Sequence, residues 1–254
     1  MSRFIWKKQI FPHIFRAYDV KKKDLVILKK FKNHSSLERE HKSIQHIKYF
    51  SKISNTANLT QDSEMLITSC ILSMPYILGN DILDHVASKR KMNMKIKEKG
   101  CRELLYDMSQ CVDALQRRNL AHLDIKPENF VITKLSQDEN RVTLIDFFCL
   151  ENIYGIEEKR LPEHIGYGTK MYWSPEVKYK SSFHKNTDLW GIGVSAAVIS
   201  LGYHPLDIHG VTIHNIQSFI HDNLKSANYS NEFIENINSL LEINPQLRKN
   251  GFLS

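Results

Sequence analysis

The 254-residue sequence lacks a long hydrophobic run and contains little glycine or proline. Its most apolar stretch, residues 190–202, spans 13 residues, whereas a helix that crosses a bilayer needs about 20. We therefore expect a buried helix there and no membrane anchor. With only 10 Gly and 7 Pro, the composition excludes collagen-like and disordered proteins. The first residues show no apolar segment followed by a small-residue cleavage site, so we expect no signal peptide.

Cysteine is also scarce, and the excess of positive charge is modest. The four cysteines show no C-x-x-C spacing: Cys70, Cys101, Cys111 and Cys149. Such a chain is expected to carry reduced thiols in an intracellular compartment, the cytoplasm or the nucleus. Lys and Arg total 35 and Asp and Glu total 28, which gives a net charge of +7. Because the cations are spread in short runs such as residues 21–23 and 89–91, they predict a solvated surface and no specific nucleic-acid site.

Short stretches rich in β-branched and aromatic residues predict strands in the first 78 residues. They are residues 4–11, 13–18, 25–31 and 70–76. One helix is predicted between them, over residues 35–50, with Ser35 or Ser36 as its N-cap. The apolar residues of this helix fall on one face: Leu37, Ile44 and Ile47. A turn is predicted at Gly79-Asn80.

Beyond residue 79 the hydrophobic periodicity predicts mainly helices. A long amphipathic helix carries an apolar stripe at Cys101, Leu104, Leu105, Met108, Cys111, Val112 and Leu115. Further helices are predicted over residues 185–201, 212–224 and 231–242, and short strands over residues 130–133 and 142–145. A strand-rich part followed by a helix-rich part predicts an α+β fold. We expect a single domain with two lobes, a small β-rich lobe over residues 1–78 and a larger helical lobe over residues 79–254.

The most informative segment is residues 122–130, with the sequence HLDIKPENF. It ends a long helix and opens a short strand, so Asp124, Lys126 and Asn129 lie in one loop. A second acid, Asp146, follows an apolar strand. Carboxylate and amide oxygens suit Mg²⁺, a lysine suits a phosphoryl group, and a carboxylate can orient a hydroxyl. The pattern therefore predicts Mg²⁺–phosphate chemistry.

This segment resembles the H-R-D-x-K-x-x-N catalytic loop of eukaryotic protein kinases, and Asp146-Phe147-Phe148 resembles their D-F-G motif. Five further matches follow in the family's order. They are residues 26–29 for V-A-I-K, Arg39-Glu40 for the helix acid, residues 168–176 for the segment ending in A-P-E, residues 188–193 for D-x-W-x-x-G, and residues 245–248 for the late arginine. Seven matches in order identify a minimal, divergent protein kinase, which by analogy would suit a virus or an intracellular parasite.

The resemblance implies roles for the matched residues. Asp124 would accept the proton of the substrate hydroxyl or orient that hydroxyl, and Lys126 would stabilise charge on the γ-phosphoryl group. Asn129 and Asp146 would hold Mg²⁺, with Mn²⁺ as a substitute. Lys29 would contact the α- and β-phosphates of ATP.

Lys29 is expected to pair with Glu40, and Glu38 on the same helix is the alternative. Glu176 and Arg248 are expected to form a structural ion pair that is costly to break singly if it is buried. By the same resemblance, four residues would contact the nucleoside: Met74 at the depth of the adenine pocket, Pro75 and Ile77 at the adenine edge, and Asp81 at the ribose.

Two departures from the family's pattern affect the nucleotide. The G-x-G-x-x-G loop is absent, because Lys7, Gln9 and Pro12 stand where glycines are expected. Side chains at these positions crowd the approach of backbone N–H groups to phosphate, so we expect weaker nucleotide binding than the family norm. Phe148 replaces the last glycine of D-F-G, which restricts the movement of Asp146.

A third departure affects regulation. Leu123 replaces the arginine that in the family pairs with a phosphorylated activation segment. Residues 147–168 contain no Ser or Thr, and Tyr154 and Tyr167 supply the only hydroxyls. We therefore expect an enzyme that is not switched by Ser/Thr phosphorylation of this segment. The sequence ends soon after Arg248, so the last helix usual in this fold is expected to be truncated or missing.

The first hypothesis is an ATP- and Mg²⁺-dependent protein kinase that phosphorylates Ser or Thr, because Lys126 in a D-x-K-P-E-N context resembles Ser/Thr kinases. Its partners would be protein substrates, and Glu128 would favour a basic residue N-terminal to the phosphosite. The alternative is a pseudokinase that serves as a binding platform or allosteric regulator, motivated by the missing glycines and Phe148. A small-molecule kinase is a distant third hypothesis. The sequence does not define the oligomeric state.

Overall fold

The computed structural model describes residues 2–48, 63–136, 139–155, 157–161 and 167–253. The chain separates into two compact units: Met1–Gly79 with Ile145–Phe148, and Asn80–Leu144 with Cys149–Ser254. The first is built mainly on an antiparallel sheet and the second mainly on helices, so the predicted α+β class is confirmed. Within the described ranges, no helix has both the length and the hydropathy needed to cross a membrane.

The first unit contains a five-stranded antiparallel sheet in the order β1-β2-β3-β5-β4. Its strands are β1 (Phe4–Phe11), β2 (Ile14–Asp19), β3 (Asp24–Lys30), β4 (Glu64–Leu66) and β5 (Ile71–Pro75). A 3₁₀ turn, Ile67–Ser69, joins the last two. Alternating side chains bury one face of the sheet, and its core is formed by Ala17, Val26, Leu28 and Ile71, with Phe4, Phe15 and Leu66 packed against them.

Helix α1 (His34–Lys48) contacts β4 and β5. Its predicted apolar face is confirmed, since Leu37, Ile44 and Ile47 are buried. The predicted N-cap is wrong, because the helix begins one residue earlier than expected. Asn33 Oδ1 accepts a hydrogen bond from Ser36 N at 2.9 Å and so performs the capping. Residues 49 and 50 of the predicted helix lie outside the described residues.

The β1–β2 hairpin closes with two residues, Pro12 and His13, because Phe11 pairs with Ile14. His13 adopts a left-handed φ of 71° in this turn. The register shifts between Trp6 and Lys8 and again between Gln9 and Phe11, as in β-bulges. From the second residue onward β1 is exposed on both faces.

The second unit contains six helices and three small sheets among its described residues. The helices are α2 (Ile82–Lys91), α3 (Glu98–Gln116), α4 (Pro175–Lys180), α5 (Thr187–Leu201), α6 (Ile216–Ser226) and α7 (Asn231–Leu240). The strands are β6 (Asn80–Asp81), β7 (Leu120–Ala121), β8 (Phe130–Lys134), β9 (Asn140–Leu144), β10 (Glu151–Asn152), β11 (Glu158–Arg160) and β12 (Ser182–His184). Strands pair in the orders β6-β8-β9, β10-β7 and β11-β12. Five 3₁₀ turns complete it: Pro127–Asn129, Lys170–Tyr172, Pro205–Asp207, Pro245–Leu247 and Gly251–Leu253.

Helix α5 is the centre of the second unit. Every residue from Thr187 to Ser200 is buried, as the absence of a polar face in its sequence predicts. The helix contacts α3, α6 and α7. The structure therefore confirms the buried helix that was predicted from the short apolar stretch at residues 190–202.

Most helix limits differ slightly from the predicted ones, and α6 differs for a visible reason. It was expected from Thr212 but begins at Ile216. Asn215 Oδ1 accepts hydrogen bonds from both the backbone N and Oγ1 of Thr212. This side-chain turn competes with helical hydrogen bonds and delays the start of the helix.

Candidate active site

Three predicted residues of the first unit meet in one cluster. Lys29, near the end of β3, places Nζ 2.8 Å from Glu40 Oε2 on α1 and 2.9 Å from Asp146 Oδ1. Glu40 is completely buried, whereas Glu38 is exposed. The alternative partner Glu38 is therefore excluded, because the phase of α1 points Glu40 inward with Leu37 and Ile44.

Burial and mutual attraction shift the charges in this cluster. Burial alone would lower the pKa of Lys29, but attraction to Asp146 and Glu40 outweighs it, so the pKa lies above its ordinary value. Full burial raises the pKa of Glu40 to about 7, although the nearby Lys29 opposes this rise. Lys29 thus stays charged, and the pKa of Glu40 lies near neutral pH.

Arg39 fastens the residues around Asp146, a contact that the sequence did not predict. Its Nε donates to Phe148 O at 2.9 Å, and its guanidinium lies 5.8 Å from the centre of the Phe148 ring. Asp146 itself adopts a left-handed φ of 62°, an uncommon conformation for a residue other than glycine. Arg39 thus holds the backbone at Phe148, and the restricted movement of Asp146 stays a prediction.

The residues predicted to contact the nucleoside belong to both units. Met74 is on β5 directly opposite Ile27 of β3, and Pro75 ends that strand. Tyr76 N donates to Leu25 O at 3.2 Å, so the chain leading to Ile77 stays attached to the sheet. Asp81 belongs to the second unit and caps α2, because its Oδ1 accepts from Asp84 N at 2.7 Å.

The catalytic-loop residues of the second unit form a second cluster. Lys126 Nζ lies 3.0 Å from Asp124 Oδ2. Asn129 Nδ2 donates to Asp124 O at 2.7 Å and to Asp124 Oδ2 at 3.2 Å. The three residues predicted to share one loop thus also contact one another.

Thr169 completes this cluster and was missed as a site residue. Its backbone N donates to Asp124 Oδ1 at 2.8 Å, and its Oγ1 accepts from Lys126 Nζ at 2.6 Å. The only sequence signal was its place after Gly168 in the segment that ends in S-P-E. The 45 residues between Asp124 and Thr169 make this contact invisible to local patterns.

Asp188 holds the backbone of the loop from the start of α5. Its two carboxylate oxygens accept from His122 N at 2.6 Å and Leu123 N at 2.8 Å. Both backbone donors are buried, and Leu123 adopts a left-handed φ of 63°. A strained backbone position of this kind persists only where its surroundings fix it, and Asp188 supplies that fixation. His122 itself is fully buried.

Two glycines allow the elements to approach this loop closely. A Cβ on Gly168, which has a φ of +56°, would collide with Leu123 O. A Cβ on Gly191 of α5 would lie 2.7 Å from both Cβ and O of Ile125. Glycine is required at both positions, since no side-chain carbon fits at such distances. The loop is therefore clamped between α5 and the segment that contains Thr169.

The predicted ion pair of Glu176 and Arg248 is confirmed. Arg248 Nη1 and Nη2 donate to Glu176 Oε1 and Oε2, each at 2.7 Å, and both residues are buried. Burial opposes ionisation of Glu176, but the hydrogen bonds from Arg248 outweigh it and hold the pKa of Glu176 below its usual value. Thr187 Oγ1 donates to the same carboxylate at 2.8 Å, so the pair joins α4, α5 and the C-terminal segment.

The donor chemistry of the two predicted metal ligands fits Mg²⁺. Asn129 uses its amide nitrogen on Asp124, so its amide oxygen is the atom that an external ligand would meet. Asp146 offers a carboxylate that is about one-third exposed. Both are hard oxygen ligands, which Mg²⁺ prefers and usually complements with water and phosphate oxygens.

Comparison with known proteins agrees with this arrangement. The family described as "Protein kinase domain" matches residues 11–251. Serine/threonine-protein kinase DCLK1 of Rattus norvegicus is 26% identical over 138 residues, which are 54% of this chain and 30% of that protein. Serine/threonine-protein kinase ULK3 of Homo sapiens is 27% identical over 123 residues, which are 48% of this chain and 24% of that protein. These alignments thus span less than a third of either relative.

The family match covers nearly all of the chain, and the ion pair of Lys29 and the Asp124 loop occupy the matched motifs. The chain therefore belongs to the protein kinase family, of the eukaryotic type.

Proposed function

We propose that this chain is an ATP- and Mg²⁺-dependent protein kinase that transfers the γ-phosphoryl group to Ser or Thr of protein substrates. The observation that carries the proposal is the group formed by Asp124, Lys126 and Thr169: the Lys126 ammonium lies beside the Asp124 carboxylate and donates to the Thr169 hydroxyl, and Thr169 N donates to the same carboxylate. A binding platform without chemistry has no need for such a group. The chain is proposed to act as one domain over residues 1–254.

The proposed roles follow from which atoms are already engaged. Asp124 Oδ1 accepts from Thr169 N, so the carboxylate is held in one orientation. Its Oδ2 lies beside Lys126 Nζ and accepts from Asn129 Nδ2. This oxygen is proposed to accept the proton of the substrate hydroxyl. Lys126 is proposed to neutralise charge that develops on the transferred phosphoryl group.

The nucleotide would be held by residues of the first unit. Lys29, kept charged by Glu40 and Asp146, is proposed to bind the α- and β-phosphates. Met74, Pro75 and Ile77 are proposed to contact adenine, and the ribose role of Asp81 rests on the sequence motif alone. Asn129 and Asp146 are the proposed ligands of Mg²⁺, which would neutralise phosphate charge, and Mn²⁺ is the proposed substitute.

Glu128 supports the proposed preference for a basic residue in the substrate. Burial raises the pKa of Glu128 above its ordinary value, with a minor opposing effect of Lys126. Its Oε2 is buried and accepts no hydrogen bond from the described part of the chain. A carboxylate in this condition is stabilised by a cation from a partner, which suits an arginine or lysine of a protein substrate.

Activity is proposed not to depend on phosphorylation of the segment that links Phe148 to Thr169. Pairing of β10 with β7 and of β11 with β12 attaches this segment to the second unit. Tyr167 OH donates to Glu151 Oε1 at 2.9 Å, and Trp173 Nε1 donates to Tyr167 O at 2.8 Å. These contacts are proposed to hold the segment in place, as a phosphate–arginine pair does in a kinase that phosphorylation of this segment activates.

The test is transfer of labelled phosphate from ATP to a generic basic protein. We expect Asp124→Asn to lower the rate by about 10²–10⁴-fold, the usual contribution of a positioned acid or base. A wild-type signal equal to that of Asp124→Asn, with Mg²⁺ and with Mn²⁺, would contradict the proposal and favour the pseudokinase.

Nucleotide binding is measured separately by thermal shift. ATP with Mg²⁺ at 100 times its Kd stabilises the folded state by about 2.7 kcal/mol, so a rise in Tm is expected at millimolar ATP. Lys29→Met is expected to reduce the rise, whereas Lys134→Met, at an exposed position on β8, leaves it unchanged. A missing rise in the wild type would show that the exposed hairpin without glycines does not support nucleotide binding.

A further inference from the structure

The second unit contains a cavity that is separate from the residues discussed above. It has a volume of about 240 Å³, is open to solvent, and lies between the end of α2, the following loop and the end of α5. The residues of this loop, 92–97, lead directly into α3. None of the residues proposed for phosphate transfer lines the cavity.

The lining of the cavity combines polar and apolar residues, and the apolar ones come from α2, the loop and α5. Val86 on α2 and Ile199 on α5 are buried, and Ile96 in the loop is partly buried. Met94, at the rim, exposes 51% of its surface. An open apolar concavity of this size accommodates one aliphatic side chain of a partner.

The rim is strongly cationic. Lys89, Arg90 and Lys95 line the opening, and Arg90 Nη1 donates to Gly202 O at 2.9 Å, which fixes it across the mouth. Residues 89–99 contain six Lys or Arg and one acid, Glu98. Glu98 is engaged by Arg102 and by Ser230, so it does not neutralise the rim.

The helix dipole accounts for only part of this charge. Cations in the last turn of a helix stabilise its C-terminus, which explains Lys89 and Arg90 on α2. Lys95 lies beyond the helix, and the dipole gives no reason for Met94 to be exposed. The combination of an apolar concavity with a cationic rim is instead the usual composition of a recognition surface.

We infer that this cavity is a docking groove for an acidic peptide segment that carries one aliphatic residue. The aliphatic side chain would enter between Val86, Ile96 and Ile199, and flanking carboxylates would meet Lys89, Arg90 and Lys95. Charge complementarity selects the peptide, and the absence of aromatic residues among the described residues of the lining disfavours single-stranded nucleic acid, which needs stacking surfaces. A membrane surface is disfavoured because the site is concave. The inference does not depend on phosphate transfer.

The test is fluorescence anisotropy with the full chain and a labelled peptide of the composition Glu-Glu-Leu-Glu-Glu. We expect saturable binding that weakens roughly tenfold between low and high salt, since exposed charges are screened. Replacing leucine in the peptide by serine, or its glutamates by lysines, is expected to weaken binding by about tenfold or more. Asp124→Asn is expected to bind the peptide like the wild type, so failure of docking and failure of the proposed activity are distinguishable.

Variants of the chain assign the binding to this groove. Met94→Asp and Lys95→Glu, both at exposed positions, are each expected to weaken binding by roughly five- to tenfold. Lys134→Glu makes the same change of charge outside the cavity and is expected to alter the Kd by less than about twofold. Equal effects of Lys95→Glu and Lys134→Glu, or no saturable binding up to about 1 mM peptide, would overturn the inference. Binding of an RNA oligonucleotide or of anionic vesicles that depends on Lys95, in place of peptide binding, would also overturn it.

Discussion

The catalytic loop of the second unit and the β1–β2 hairpin of the first unit are held in very different ways. The loop is buried, and Asp188, Asn129 and Thr169 engage its backbone and its acid. Strand β1 is exposed along almost its whole length and carries large apolar residues such as Trp6 and Phe11 at the surface. The loop retains the family's aspartate, lysine and asparagine, although Leu123 replaces its arginine, whereas the hairpin lacks the family's glycines.

This difference shows where substitutions are tolerated structurally. Replacing a residue of the loop leaves a buried donor or acceptor without its partner, which is costly. Replacing a glycine of an exposed hairpin removes nothing from the core, and Pro12 with His13 still closes a two-residue turn. The chain thus holds the Asp124 loop by buried hydrogen bonds, whereas its exposed β1–β2 hairpin lacks the glycines of the family's pattern.

The largest expected effect tests the rigidity of the second unit. Arg248→Ala removes both hydrogen bonds to Glu176 and leaves a buried carboxylate without its cation. We expect the free energy of unfolding to fall by about 3–5 kcal/mol, measured by urea unfolding with tryptophan fluorescence as the probe. Arg248→Lys retains the charge, so its free energy of unfolding is expected to lie between that of the wild type and that of Arg248→Ala. A loss below about 1 kcal/mol would mean that this pair does not stabilise the unit.

A smaller effect is expected at the support of the catalytic loop. Asp188→Asn keeps the shape of the side chain but presents an NH₂ group to one of the two backbone donors, His122 N or Leu123 N. The free energy of unfolding should fall by about 1–3 kcal/mol. The rate of phosphate transfer should fall as well, because Asp124 follows these residues directly. Unchanged stability together with an unchanged rate would show that the loop holds its conformation without Asp188.

The charge of Glu40 is expected to control the pH dependence of the first unit. Because the pKa of Glu40 is raised to about 7, acidification below pH 7 protonates it and breaks its ion pair with Lys29. We expect the transfer rate to fall by up to about tenfold per pH unit below this value. The raised pKa has the opposite effect on stability: the contribution of the protonated form is present below the ordinary pKa of a glutamate and is lost as the pH rises towards 7.

A pH–rate profile measured with Glu40→Gln separates this effect from other titrations. The variant is expected to be slower at all pH values but to lack the acidic limb near pH 7. Persistence of the same limb in Glu40→Gln would assign it to another group.

The smallest expected effect concerns the support of β1. Arg3 joins Asp19 of β2 to Glu64 of β4 at 2.8 Å and 2.6 Å, and its hydrogen bonds lower the pKa of both acids. Asp19 is buried, but Arg3→Ala leaves it with hydrogen bonds from Lys21 N and Lys22 N. We therefore expect the free energy of unfolding to fall by only about 1 kcal/mol, measured by urea unfolding with tryptophan fluorescence. A loss as large as that of Arg248→Ala would remove the distinction between the two regions.

Much of the fold was predictable because its signals are local. The stripe of α3, the uniform hydrophobicity of α5 and the strands that precede Lys29 follow from residue spacing, and the structure confirms these elements. Errors occur where a side chain changes the end of an element, as Asn33 does for α1 and Asn215 does for α6. Capping depends on one hydrogen bond, and several neighbouring polar residues can make it.

The sequence by itself determined the family, the fold class and the identities of the motif residues, because the order and spacing of such residues are properties of the chain. Only the tertiary structure decided that Glu40 and not Glu38 pairs with Lys29, and that Thr169 and Asp188 hold the catalytic loop. It also showed that Lys89 and Arg90, two cations of the run at residues 89–91, line the opening of a cavity. The physical reason is that these contacts join residues far apart in sequence, and packing brings them within hydrogen-bonding distance.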